Sequence, residues 1–98
     1  MKLPDSVKVA GHTYTIDYTN GSWIGETGCR GQCDSDKLRI RVSQDQPMSR
    51  LQETLLHEII HAVYHEYCID DNDGEEAIVG KISTGLYQVI RDLYAKAK

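Results

Sequence analysis

Apolar and polar residues follow a period of two in separate stretches before residue 43, then change to a helical period. Val7 to Val9 and Thr13 to Thr19 are rich in β-branched and aromatic residues, with Ala10-Gly11-His12 between them. This predicts a β-hairpin in which Val7 and Val9 share a face, Tyr14, Ile16 and Tyr18 run in step, and His12 is exposed at the turn. Residues 20–36 are rich in glycine and polar side chains, and Trp23 and Ile24 are the only large apolar pair there. A long loop is expected, with at most a short strand at its middle; loops this long in small domains are often functional, and this one is placed to rim a site. Lys37 to Val42 then alternates strictly, Leu38, Ile40 and Val42 on one face and Lys37, Arg39 and Arg41 on the other. It reads as a half-buried strand at a sheet edge, able to take up an extended peptide as one more strand.

Gln44 to Met48, with Pro47, ends that pattern. Ser49 is placed as an N-cap, and Gln52 three residues on completes the S-x-x-Q form of a capping box. The helix it opens runs to about Tyr67 with a broad apolar surface of Leu51, Leu55, Leu56, Ile59, Ile60, Ala62 and Val63. Ile69 to Gly74 is an acidic turn. Its Asp71-Asn72-Asp73-Gly74 run fails as a calcium loop, because with Gly74 sixth the first and twelfth positions fall on Ile69 and Gly80. A last helix is expected from about Asp73 to Ala95, with Val79, Ile82, Leu86, Val89, Ile90 and Leu93 at helical spacing and Arg91, Lys96 and Lys98 near its end. Gly80 and Gly85 weaken it by up to about 1 kcal/mol each and would permit close approach to the first helix. Strands followed by helices make this an α+β chain, and residues 1–98 fit one domain.

Composition narrows the function classes. A net charge of −4 argues against nucleic-acid binding, since Lys and Arg are scattered rather than striped, although a small basic patch remains compatible with it. No apolar run approaches the ~20 residues of a membrane span, and Met1-Lys2-Leu3-Pro4-Asp5 lacks the apolar region of a secretory signal. The expectation is a cytoplasmic protein without membrane contact. Cys29, Cys33 and Cys68 are an odd number of thiols, as suits a reducing compartment. The C-x3-C spacing of Cys29 and Cys33 lacks the second pair that a structural zinc knuckle requires. Asn20-Gly21-Ser22 matches a glycosylation triplet but, without a secretory signal, reads as a turn.

The chemistry concentrates in His57-Glu58-Ile59-Ile60-His61, an H-E-x-x-H motif on the first helix. Shuffling this composition produces the motif in roughly 0.7% of chains, so chance explains it poorly. Side chains four apart on a helix are neighbours, and His57 and His61 can therefore address one ion. Glu58 is rotated off the pair yet close enough to act as general base on a metal-bound water. A catalytic Zn2+ site needs three protein ligands and an open position. His65 lies about 12 Å along the helix axis from His57, too far for one ion. The longer H-E-x-x-H-x-x-G-x-x-H pattern fails too, with Tyr64 and Tyr67 in place of its glycine and last histidine. The third ligand must come from the start of the next helix, from Glu75 or Glu76. Glu76 shares a face with Val79, Ser83 and Leu86, and Glu75 with Ile78 and Ile82, so spacing alone favours Glu76 only slightly. Both acids also suit an ordinary first helical turn.

Across about residues 34–92 the chain resembles the small gluzincin-type zinc metallopeptidases, particularly phage- and prophage-encoded proteins related to the ImmA/IrrE and SprT-like groups. The stretches that carry the likeness are Glu53 to Ala62, around the motif, and Glu76 to Tyr87. The resemblance implies a minimal zincin fold, one Zn2+ held by His57, His61 and Glu76, Glu58 as catalytic base, and hydrolysis of a peptide bond in a protein or peptide substrate. It favours Glu76 over Glu75, because in such families the ligand glutamate is followed three residues on by a small or β-branched residue, here Val79. The Ala-Asn pair of the ImmA-like group is replaced by Val79-Gly80. Tyr64, His65 and Tyr87 are the candidates for stabilising a tetrahedral intermediate. A non-catalytic zincin module for binding another protein is the competing expectation.

Overall fold

The computed structural model describes residues 3–20, 30–69 and 74–97. Its elements are β1 (Ser6–Val9), β2 (His12–Thr19), β3 (Gly31–Asp34), β4 (Arg39–Ser43), α1 (Met48–Glu66) and α2 (Glu75–Ala97). The α+β class is as expected, with four strands in a mixed sheet of order β1-β2-β4-β3. β1 and β2 form the predicted hairpin, β4 joins β2 in parallel, and β3 pairs antiparallel to β4. Ala10 in the hairpin turn takes φ 56, a left-handed conformation that L-residues seldom adopt.

Register decides which side chains meet the helix. Ile16, Ile40 and Cys33 lie in one row across the sheet, and Tyr18, Val42 and Gly31 in the next. Because successive residues of a strand point to opposite faces, both rows face the same way as the fully buried Tyr14. Leu51, Leu55 and Ala62 of α1 close over this face and complete the core. In α2, Val79, Ser83 and Tyr87 are buried at intervals of one turn, and the Tyr87 hydroxyl donates to Gln52 Oε1 at 2.8 Å. No helix among the described residues is long and apolar enough to cross a membrane.

Several expectations are corrected. The alternating strand is an interior strand: β4 lies between β2 and β3, and the outer strand is β3, at the far end of the predicted loop rather than its middle. Leu38, expected within the strand, adopts φ 52 in the turn before it. The capping box does not form. Pro47 is the N-cap, no side chain caps the helix, and Gln52 is drawn inward to Tyr87 instead. On α2 the inward stripe is Val79-Ser83-Tyr87, leaving Ile82, Leu86 and Ile90 exposed. Gly80 has open space where a Cβ would stand, so it permits no special approach. Residues 21–29, with Cys29, and the acidic turn at 70–73 lie outside the described residues, as do the side chains of Gly85, Val89 and 91–98.

Ile40 is completely buried at the centre of the sheet. Ile40→Ala should cost about 2–5 kcal/mol in urea unfolding, whereas Leu86→Ala on the exposed side of α2 should stay within about 0.5 kcal/mol.

Candidate metal centre

His57 and His61 stand one turn apart on α1, and α2 begins directly opposite them. His57 Nε2 and His61 Nε2 approach to 3.2 Å. The Glu76 carboxylate spans the pair, Oε1 at 2.9 Å from His57 Nε2 and Oε2 at 2.8 Å from His61 Nε2. One donor atom from each residue falls within 4.8 Å of the others, an arrangement that could hold a metal ion. The side chain of Glu76 is 75% exposed, so both oxygens are turned to the histidines although water is freely available. The first helical turn alone does not require that.

Glu75 is also at the centre, in a different position. Its Oε2 accepts from His61 Nδ1 at 2.7 Å. A carboxylate on the far nitrogen fixes the tautomer and ring orientation of a ligating histidine and raises its basicity. The sequence left Glu75 and Glu76 as alternatives, and the structure gives each a separate contact. His57 is less firmly held, its Nδ1 facing Ser83 Oγ at 3.5 Å.

These contacts leave a proton deficit. With Nδ1–H given to Glu75, a neutral His61 has only a lone pair at Nε2, and that lone pair faces a Glu76 oxygen at 2.8 Å. Two lone pairs at that separation repel. Either a proton or a metal ion between them removes the repulsion, so the donor set fits a cation.

Glu58 completes the group from the sheet side. It falls in the inward stripe Leu51-Leu55-Glu58-Ala62, which is otherwise apolar, and is only 8% exposed. Space for it exists because β3 opens with glycine: a Cβ at Gly31 would lie 2.9 Å from both Cγ and Oε2 of Glu58. Desolvation pushes the Glu58 carboxyl up from 4.5 to about 7; His61 opposes the shift and Glu76 adds to it. Cys33, two residues along β3 on the same face, has its thiol pushed up by burial, with Glu58 contributing. Neither Gly31 nor Cys33 was expected at the site. Only the pairing of β3 with β4, which sets Cys33 beside Ile40, brings them there.

Of the three residues expected to stabilise an oxyanion, Tyr64 and His65 line a cavity of about 650 Å3 that also reaches Glu58 and His61. Tyr87 does not, because it is buried against Gln52 in an apolar groove with Leu3 and Ile90. His65 takes no part in the ligand group, as helix geometry required. His12 opens β2 and lies 3.8 Å from Glu66, remote from the centre. No family model, no curated protein and no solved structure matches this chain.

Two outcomes follow from the buried carboxyl. In the metal-free protein the folded state holds the Glu58 proton more tightly than the unfolded state. Stability contributed by this group is therefore present below pH 4.5 and is lost as pH rises through about 7, by about 3 kcal/mol in all. Urea unfolding at pH 5 and pH 8 should show Glu58→Gln gaining on wild type at the higher pH. Gly31→Ala should cost about 1–3 kcal/mol through overpacking against Glu58 and Thr54.

Proposed function

We propose that the chain is a minimal zincin-like hydrolase that binds one Zn2+ through His57, His61 and Glu76 and cleaves a peptide bond with Glu58 as general base. The observation that carries this reading is the convergence of two imidazole nitrogens and a carboxylate, with the buried Glu58 beside them. Two histidines and one carboxylate are a donor set that suits zinc at a catalytic site, where three protein ligands leave a position for water or substrate. Bound there, zinc would supply a Lewis acid for the scissile carbonyl and lower the pKa of water to near neutrality.

The remaining roles belong to the chain. Glu75 holds His61 in the tautomer that leaves Nε2 unprotonated. Glu58, buried beside the histidines, accepts a proton from the attacking water and delivers it to the leaving amine. β3 pairs only with β4 among the described residues, and its other edge is available to an extended substrate beside Glu58. The strand-addition role expected of residues 37–42 thus passes to Gly31–Asp34. Tyr64 and His65, on the cavity wall, are the groups placed to meet developing negative charge.

Purified protein should bind one equivalent of zinc, and His57→Ala should abolish that binding. Glu75→Gln should retain the site but weaken affinity by about 10–100-fold, as removal of a histidine's supporting carboxylate does. Glu58→Gln should keep full metal content and lose turnover of a peptide substrate. Equal zinc in wild type and His57→Ala overturns the site; a Glu58→Gln protein as active as wild type leaves only a binding module.

A further inference from the structure

A second cavity, of about 580 Å3, opens on the other side of the metal centre. Glu58 and His61 line both cavities, so the two flank one pair of side chains. Their chemistry differs. The first is walled by Cys33, Ser35, Tyr64 and His65, with neither Arg nor Lys among the described residues; the second is walled by Arg30 and Arg50 together with Thr54.

Among the described residues no hydrogen bond or ion pair reaches either guanidinium, whereas elsewhere Arg39 lies 3.7 Å from Asp17 and Arg41 donates to Gln32. Three carboxylates share the wall. Glu58 and Glu76 belong to the metal centre, and Glu53 lies 3.5 Å from the Thr84 hydroxyl, which donates to Gly80 O at 3.0 Å. Arg50 also occupies the first turn of α1, which holds no acidic residue. A cation there opposes the helix dipole, so folding alone does not favour it. Arg30 immediately precedes Gly31, the residue against Glu58. Arg50, Thr54 and His57 follow one stripe of α1, placing Arg50 about 10 Å along the axis from the first histidine. An extended peptide covers that distance in about three residues.

We infer that Arg30 and Arg50 form a carboxylate-binding subsite, so that the preferred substrate carries a carboxylate within about three residues of the bond cleaved. Planar guanidinium groups recognise carboxylates through paired charge-assisted hydrogen bonds. The carboxylate is either an Asp or Glu side chain or the substrate's own C-terminus. This inference rests on the peptidase reading for the position of the scissile bond, but not for the subsite's affinity.

The test is calorimetric titration of the zinc-loaded Glu58→Gln protein with alanine-based hexapeptides. These carry Asp or Asn at each position in turn, with free or amidated C-termini. At least one carboxylate form should bind about tenfold tighter than its amide partner, and Arg30→Gln and Arg50→Gln should each erase most of that difference. A zinc content of one per chain in each variant establishes that the centre is intact. A preference confined to Asp assigns a side-chain carboxylate, and one confined to the free terminus assigns the chain end. Equal binding of every pair, a preference that survives both substitutions, or no binding of any peptide overturns the subsite. Selective binding without cleavage by wild type leaves the subsite standing and removes the peptidase reading. Cleavage by wild type with no charge preference does the reverse.

Discussion

A carboxyl group on the core face of a helix is the constraint around which this small domain is arranged. Glu58 sits where the stripe Leu51-Leu55-Ala62 calls for an apolar side chain. Burying it there carries a desolvation cost that an ordinary core residue would not. The sheet accommodates it by opening its outer strand with a glycine, because any larger residue at position 31 would overlap the carboxylate. The same register that points Gly31 at Glu58 also points Cys33 toward it, and among the described residues no strand pairs with the far edge of β3. A structural glutamate would more simply have been placed one position round the helix. Its position among leucines and alanine is what the proposed chemical role rests on.

The helix pair supplies the rest through two adjacent acids with different duties. Glu76 faces the two Nε2 atoms, and Glu75 reaches behind His61 to Nδ1. The inward stripe Val79-Ser83-Tyr87 holds α2 in the orientation that makes both contacts possible at its first turn. Any metal affinity would therefore be coupled to helix packing, since a shift of α2 along α1 would separate the carboxylates from the histidines. Tyr87 is joined to Gln52 of α1 by a hydrogen bond, while the large apolar residues Ile82, Leu86 and Ile90 remain on the outside.

The sequence made the local parts of this arrangement legible. Period-two alternation located the hairpin, and the four-residue spacing of His57 and His61 fixed their common direction without tertiary information. The rise of an α-helix was enough to remove His65. What depended on the order of strands was not legible. Residues 39–43 look like an edge from their own pattern, and only the pairing of β3 along their outer side makes them interior. Arg30, Gly31 and Cys33 join the site through that strand, in a stretch whose glycines and polar residues read as loop. The choice between Glu75 and Glu76 likewise required the crossing of two helices, because both lie in the first turn and either could cap it.

In the proposed site His57, His61 and Glu76 hold one zinc ion and the thiols near them do not. X-ray absorption at the zinc edge of the loaded protein tests it directly. The expected result is a shell of light atoms at about 2.0–2.2 Å, with the outer scattering of two imidazole rings and no sulfur. A sulfur scatterer at about 2.3 Å would place Cys33 or Cys68 in the shell and contradict it, as would the signature of a single imidazole.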